Sequence, residues 1–264
     1  MRFTKMQGLG NDYVYVNCFE ERVETPELAA KKLSDRHFGV GADGLILIGP
    51  SKKADCRMKM YNADGSRGTM CGNGIRCVAK YVYEAGLVGQ TEITVETDSG
   101  IRLVNCCQIE DGKVRLVEVD MGIPSVEKQE RFQWEERELF FVPVDMGNPH
   151  AVFFDAEAEH LDLLRFGPVM ERHPYFPDRT NVELVQIQRE NLIRLRVWER
   201  GSGETLACGT GACAAFAAAR TMNFVGERAT VELPGGTLEI AWQGPGKPLF
   251  MTGPAEEVFC GEII

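Results

Sequence analysis

The sequence predicts a mixed α/β (α+β) fold of two similar, pseudo-symmetric domains, each a β-sheet wrapped around a central helix. The tetrad Cys-Gly-x-Gly occupies residues 71–74 and again 208–211, an offset of 137 in a chain of 264 residues. Gly10-Asn11 and Gly147-Asn148 are related by the same offset. Two segments in register at about half the chain length indicate a duplication.

The chain length supports the same division. A single hydrophobic core stops growing near this size, so we expect two domains of about 130 residues each. The predicted N-terminal catalytic half is residues 1–120, with residues from about 255 to 264 returning to it. The predicted C-terminal catalytic half is residues 121–254.

Composition excludes several classes of protein. A net charge of −10 and a pI near 5.1 argue against nucleic acid or an anionic membrane as the main partner. Nine cysteines, an odd number, exclude a fully paired disulfide framework. The first residues lack the apolar core of a signal peptide, and no apolar run is long enough to span a membrane. These features predict a cytoplasmic protein with reduced thiols.

Short apolar segments bounded by turn residues predict strands throughout the chain. In the first half they are Val14–Cys18, Leu45–Ile48, Arg57–Tyr61, Glu92–Thr97, and a hairpin of Ile101–Ile109 and Lys113–Val119 closed by Asp111-Gly112. In the second half they are Leu139–Val144, His150–Phe154, Val182–Ile187, Ile193–Trp198, Thr230–Leu233 and Thr237–Trp242. The polar stretch Pro124–Glu138 is predicted to be a linker or an exposed crossover.

Three helices are predicted. Thr25-Pro26 is typical of a helix start, with an N-cap residue followed by proline. After Cys71, apolar residues recur at helical spacing until Gly86, which supplies a stop. After Cys208, residues 212–219 are almost all small and apolar, which predicts a helix buried on all sides.

Both tetrads therefore place a cysteine at a helix N-terminus. Unpaired backbone N–H groups and the helix dipole attract anions there, and glycine lets a ligand carboxylate approach the backbone closely. The same field is expected to lower the pKa of a thiol toward neutrality, so that one cysteine can be a thiolate while its partner stays protonated. A thiol from each half suits a reaction that needs an acid and a base facing each other. The other cysteines are interpreted as small hydrophobic residues: Cys18, Cys56, Cys77, Cys106, Cys107, Cys213 and Cys260.

Seven motifs, in order along essentially the whole chain, resemble the diaminopimelate epimerase family. They are GLGNDY at 8–13, GADG at 41–44, YNADGS at 61–66, MCGNGIRC at 70–77, GNPH at 147–150, TNVE at 180–183 and ERGSGETLACGTGAC at 199–213. The resemblance implies an isomerase that interconverts LL- and meso-diaminopimelate for lysine and peptidoglycan precursor synthesis. It also implies two curved α/β domains with the active site in the cleft between them, a homodimer, and no pyridoxal phosphate, other cofactor or metal.

The same resemblance implies roles for individual residues. Cys71 and Cys208 match the catalytic thiols, and His150 and Glu199 join them in the catalytic group. The matching substrate-binding residues are Asn11, Asn62, Gly72, Asn73, Asn148, Asn181, Glu199, Arg200, Gly209 and Thr210. Adjacent acidic and basic side chains at Glu199-Arg200 suit the distal ammonium and carboxylate of the substrate.

Two positions depart from the family pattern, and several alternatives stay open. Gly44 stands where many members carry Gln, and Arg67 where many carry an acidic residue.

Proline racemases and hydroxyproline epimerases share the two-thiol fold but carry His in place of Asn73, and a PhzF-like isomerase shares the fold alone. Metal or redox binding is disfavoured because the gaps Cys71-x5-Cys77 and Cys208-x4-Cys213 are not typical of zinc sites. Dinucleotide binding is disfavoured because Gly8-Leu-Gly10 lacks the third glycine and precedes a strand.

Overall fold

The computed structural model describes residues 1–154 and 161–263. The chain forms two compact units, one of Met1–Asp120 with Thr252–Ile264 and one of Met121–Met251. Residues 155–160, in the predicted second half, and residue 264, the end of the predicted returning segment, lie outside the described residues. Both units contain helices as well as strands, so the predicted mixed α/β class is confirmed.

The part of the first unit that precedes the second unit contains α1, α2 and strands β1 to β8. Its elements are β1 (Arg2–Gly8), β2 (Asn11–Asn17), α1 (Pro26–Ser34), β3 (Gly44–Gly49), β4 (Cys56–Asn62), β5 (Arg67–Gly68), α2 (Gly72–Glu84), β6 (Glu92–Thr97), β7 (Gly100–Glu110) and β8 (Lys113–Asp120). Every strand predicted here is confirmed, with ends displaced by up to three residues. Asp111 and Gly112 both have positive φ, 50° and 72°, as a two-residue hairpin turn requires.

The described residues of the second unit also form strands and two helices, and the chain then ends in one more strand of the first unit. The remaining elements are β9 (Ser125–Val126), β10 (Glu130–Trp134), β11 (Arg137–Asp145), β12 (Pro149–Phe154), α3 (Leu163–Glu171), β13 (Asn181–Arg189), β14 (Leu192–Glu199), β15 (Gly203–Thr205), α4 (Gly209–Thr221), β16 (Arg228–Leu233), β17 (Gly236–Trp242), β18 (Leu249–Pro254) and β19 (Glu256–Glu262). The predicted strands are again confirmed, with ends displaced by up to two residues.

The offset of 137 holds in the strand registers of the two units. The parallel pair β2–β3 aligns Tyr13 with Gly44, and the parallel pair β12–β13 aligns His150 with Asn181. The antiparallel pair β3–β4 aligns Ile46 with Met60, and β13–β14 aligns Glu183 with Val197. Residues 11–74 and 148–211 therefore form equivalent substructures, as the repeated tetrad predicts.

The polar stretch Pro124–Glu138 is not a linker. Ser125 and Val126 pair with Asp145 and Val144, and β10 pairs along its whole length with β11. Phe132 on β10 is buried and its ring lies 5.6 Å from that of Phe166. The buried Phe132 side chain anchors one face of β10 to the core, while most of the polar residues around it remain exposed.

The two cysteine-led helices match the sequence prediction. Helix α2 buries Ile75, Val78, Ala79 and Val82 completely, and Gly86 follows its end with a φ of 68°. Helix α4 is buried over Gly211–Ala219, so the absence of a polar face in its sequence reflects burial on all sides. Among the described residues, no helix is both long and apolar enough to cross a membrane.

The shorter helices differ in how they begin. Pro26 starts α1 as predicted, but the Thr25 side chain makes no capping hydrogen bond, whereas Asp162 accepts one from the Leu164 N–H at the start of α3. We therefore expect Asp162→Ala to lower the free energy of unfolding by about 1 kcal/mol. Thr25→Ala is the matched control and should change it by less than about 0.5 kcal/mol. Urea unfolding followed by circular dichroism measures both; equal losses would contradict the difference between the caps.

Candidate active site

Each repeated tetrad starts a helix in the same way. Cys71 is the N-cap of α2, with φ −138° and ψ 119°, and its Sγ accepts the Gly74 N–H at 3.3 Å. Cys208 is the N-cap of α4, with φ −126° and ψ 113°, and its Sγ accepts the Gly211 N–H at 3.3 Å. The backbone thus presents the two thiols identically, each at the positive end of a helix.

Close packing explains the second glycine of each tetrad. A Cβ built on Gly74 lies 2.7 Å from Ile46 Cδ1, and one built on Gly211 lies 2.9 Å from Glu183 Oε1. Both distances are too short for real contacts, so a side chain at either position would force the Ile46 or the Glu183 side chain to move. The glycines therefore hold each thiol-bearing helix close to β3 or β13.

In the first unit, amide side chains surround the thiol. Cys71 Sγ donates to Asn11 Oδ1 at 3.3 Å, and Asn73 Nδ2 donates to the same oxygen at 3.5 Å. Asn11 Nδ2 donates to Asp43 Oδ2 at 2.8 Å, which fixes the orientation of the amide. Asn62 donates instead to Ser66 Oγ at 2.9 Å, within the turn that follows β4.

In the second unit, a chain of hydrogen bonds leads away from the thiol. Cys208 Sγ lies 3.5 Å from Thr210 Oγ1, which accepts from Asn148 Nδ2 at 3.4 Å. Asn148 Oδ1 lies 3.1 Å from His150 Nε2, and His150 Nδ1 lies 2.7 Å from Glu183 Oε1. His150 and Glu183 are fully buried. Four of the predicted site residues of this unit are therefore linked to one another.

The predicted zwitterion-binding residues form a second group in this unit. Asn181 Oδ1 accepts the Arg200 backbone N–H at 2.9 Å, and Asn181 Nδ2 donates to the Pro149 carbonyl at 3.0 Å. Glu199 Oε1 accepts from Thr205 Oγ1 at 2.6 Å. The exposed Arg200 guanidinium donates from Nη1 to the Asp178 carbonyl at 2.9 Å, a bond that uses one of its five N–H donors.

At Cys208 the effect of the helix N-terminus on the thiol pKa is outweighed by burial. Burial raises the pKa of this thiol well above its usual range, and the negative charges of Glu199 and Glu183 raise it further. Hydrogen bonds from Thr210 and from the Gly211 N–H act in the opposite direction. Removing a thiolate from water therefore outweighs its stabilisation by the helix N-terminus. The net direction favours the protonated thiol at Cys208.

Comparison with known proteins identifies the family to which this chain belongs. A family model described as diaminopimelate epimerase matches residues 3–127 and 142–258. This chain belongs to the diaminopimelate epimerase family. A curated diaminopimelate epimerase of Acetivibrio thermocellus is 51% identical over all of this chain and 98% of its own length. One of Methanococcus maripaludis is 48% identical over all of this chain and 99% of its own length.

Solved structures with more distant sequences share the fold of this chain. A PhzF-family phenazine biosynthesis protein of Bacillus anthracis superposes with a TM-score of 0.77 at 16% identity, covering 100% of this chain and 99% of that one. A hydroxyproline epimerase of Agrobacterium vitis, with bound trans-4-hydroxy-L-proline, gives a TM-score of 0.72 at 18% identity, covering 99% and 91%. At these identities the likeness concerns the fold alone.

Both departures from the diaminopimelate epimerase pattern have structural consequences. A Cβ on Gly44 would lie 2.2 Å from the Tyr61 carbonyl oxygen, so β3 would have to move to accept a glutamine. Arg67 donates from Nη2 to Asp98 Oδ1 at 2.8 Å, so the basic residue at this position has an acidic partner.

Sequence reasoning missed two buried or half-buried acids beside the site, Asp43 and Glu183. Both stand inside quoted motifs, GADG and TNVE, but neither motif alone shows that its acid contacts a site residue. The repeat offers a signal for Glu183, because the equivalent position of the first half is Ile46. A charged residue that replaces an apolar one in a duplicated core is unexpected unless it has a partner.

Proposed function

We propose that this protein is a pyridoxal-phosphate-independent diaminopimelate epimerase that interconverts LL- and meso-diaminopimelate in lysine and peptidoglycan precursor biosynthesis. Membership of the family supports the substrate. The observation that carries the reaction type is the pair of equivalent helices, each capped by a cysteine through the same 3.3 Å hydrogen bond. Two thiols in equivalent frames suit removal of a proton from one face of a carbon and delivery of a proton to the other.

The proposed reaction needs no group beyond the protein and water. In one direction the Cys71 thiolate removes the α-proton, and the electron pair left on carbon spreads into the adjacent carboxylate. Cys208 then donates its proton to the opposite face, so that it ends as thiolate and Cys71 as thiol. The raised pKa of Cys208, caused mainly by burial, supports its role as the resting proton donor in this direction. The reverse reaction exchanges the roles.

The charge that develops on the reacting carboxylate needs donors that are already in place. We propose that the backbone N–H groups of Gly72, Asn73, Gly209 and Thr210 bind this carboxylate. They belong to the first turns of α2 and α4, where N–H groups have no acceptor within the helix. Such donors act most strongly on charge that appears only in the transition state.

The rest of the substrate would be held by the polar side chains around the thiols. We assign the binding of its ammonium and distal carboxylate groups to Asn11, Asn62, Asn148, Asn181, Glu199 and Arg200. His150 and Glu199 are proposed to assist proton transfer, which is supported by the hydrogen-bond chain from His150 to Cys208 and by the action of Glu199 on the Cys208 pKa.

We further propose that residues 1–120 and 121–254 act as the two catalytic halves, in a homodimer that works in the cytoplasm. The exposed Cys107 and Cys260 are free thiols, which supports a reducing compartment. Val258 and Phe259 on β19 are 56% and 46% exposed, and a second copy of the chain would cover them. Sedimentation equilibrium tests the dimer.

A direct assay distinguishes the proposed function from its rivals. The purified protein is incubated without added cofactor with LL-diaminopimelate, and separately with L-proline and trans-4-hydroxy-L-proline. Formation of meso-diaminopimelate, with no change in the two cyclic amino acids, is the expected result. Racemisation of proline with no action on diaminopimelate would replace this function by that of a proline racemase.

Heavy water tests the two-thiol mechanism. During early turnover in heavy water, the product should carry deuterium at the epimerised carbon, because its proton comes from a thiol that has exchanged with solvent. The remaining substrate should stay largely protonated when return of the proton is slower than product release. Mass spectrometry of the separated stereoisomers measures both. Efficient transfer of the original proton from substrate to product would indicate a single base.

A further inference from the structure

The two thiols stand in equivalent backbone frames but have different neighbours. At the offset of 137, Tyr13 of the first unit corresponds to His150 of the second, and Ile46 corresponds to Glu183. Each of these positions is buried. The first unit thus places two largely apolar side chains where the second unit places an imidazole and a carboxyl group 2.7 Å apart.

Glu183 is close to the Cys208 sulfur. A Cβ placed on Gly211 would lie 2.9 Å from Glu183 Oε1 and 3.3 Å from Cys208 Sγ, so both atoms border the same point. His150, in contrast, is connected to Sγ through Asn148 and Thr210. The carboxyl group and the thiol therefore both border Gly211.

The second carboxyl oxygen points to a role beyond packing. Glu183 is fully buried, and its Oε2 has no hydrogen-bond partner among the described residues. Burying such an atom is unfavourable, and the equivalent position of the first unit holds an apolar residue, Ile46. Packing alone does not explain a carboxyl group here, because its removal from water costs free energy that an apolar side chain would not cost.

We propose that Glu183 is a positioning residue that makes the two thiols unequal, by orienting His150 and by presenting negative charge beside Cys208 so that this cysteine stays protonated in the empty enzyme. The proposal deepens the proposed function, since an acid and a base must be assigned before substrate arrives. Cys71 faces Ile46 at the equivalent position, so the thiol of the first unit has an apolar side chain where that of the second unit has Glu183.

The sign of the effect follows from the groups that face this thiol. Glu183 on β13 and Glu199 on β14 are acidic, and each disfavours a thiolate at Cys208 through charge repulsion. Burial raises the pKa of Glu183, and the charge and hydrogen bond of His150 on β12 act in the opposite direction, toward the ionised carboxylate. Removal of the Glu183 charge should therefore make Cys208 easier to deprotonate, with little effect on Cys71.

Thiol titration tests the proposal without substrate, and so independently of epimerase activity. Cysteine is labelled with ¹³C at Cβ, the Cys71 and Cys208 resonances are assigned from Cys71→Ala and Cys208→Ala, and each shift is followed against pH. In Glu183→Gln, we expect the proton affinity of Cys208 to fall by about tenfold or more, one pKa unit, while that of Cys71 is unchanged. Glu232→Gln on β16 is the matched control and should change neither.

Two outcomes would overturn the proposal. One is a Cys208 titration in Glu183→Gln that coincides with the wild type or moves to higher pH, and the other is an equal shift of both thiols. If the glutamine variant does not fold, Glu183→Ile provides the same test, because isoleucine is the residue at the equivalent place in the first unit. The proposed function fails separately, through the absence of meso-diaminopimelate in the wild-type assay.

Discussion

Replacing either Cys71 or Cys208 by alanine should abolish measurable epimerisation, with kcat lowered by roughly 10²–10⁴-fold or more. Each substitution removes the base in one direction and the acid in the other, so both directions are lost together. The loss is measured as conversion of LL- to meso-diaminopimelate and in reverse. Substantial epimerisation by either variant would remove that cysteine from the mechanism.

Serine variants separate the chemistry from the helix cap. The Cys208 sulfur accepts the Gly211 N–H, and a serine oxygen would accept the same hydrogen bond. Cys208→Ser should therefore retain the wild-type fold by circular dichroism and still be inactive, because a hydroxyl group is a far weaker acid than a thiol. Cys107→Ala, at an exposed position on β7, is the control and should retain full activity.

Arg200→Met should reduce kcat/KM for diaminopimelate by about 2–5 kcal/mol in transition-state free energy. The guanidinium uses Nη1 on the Asp178 carbonyl and has further donors for the distal carboxylate of the substrate. Without it, that carboxylate would lose its charged partner on binding. Steady-state kinetics in the LL-to-meso direction measures the change.

A matched variant on β14, the strand that ends just before Arg200, shows whether the effect is specific. Arg194 lies on β14, with its Nε 3.7 Å from Glu232 Oε2 in a pair that is largely exposed to solvent. Such pairs contribute little, so Arg194→Met should leave kcat/KM within about twofold of the wild type. Equal losses in the two variants would indicate a general effect of charge and would take Arg200 out of the site.

Local signals in the sequence explain why most of the fold could be predicted. Apolar and β-branched residues with turn residues on either side identify strands such as β3 and β6, and the cysteine-glycine tetrads mark the starts of α2 and α4. The repeat predicted two similar units because their registers follow the same offset. These features depend on neighbours in the sequence or on an internal copy.

The missed elements depend on contacts between distant residues. Helix α3 contains Gly167-Pro168, a pair that normally indicates a turn, and Gly167 is needed because a Cβ there would lie 2.4 Å from the Trp198 ring. Strand β10 has one buried residue, Phe132, among polar neighbours. The partnership of Glu183 with His150 joins residues 33 positions apart. None of these contacts leaves a periodic pattern in the sequence.

The way in which the first unit is completed determines the order in which the chain can fold during synthesis. Strand β19 pairs with β1, the N-terminal amino group donates to the Ile263 carbonyl at 2.8 Å, and Phe259 packs against Phe3. The second unit is one continuous stretch, Met121–Met251, and all of it leaves the ribosome before β19 does. The half of the protein that is made first is therefore the half whose sheet is finished last.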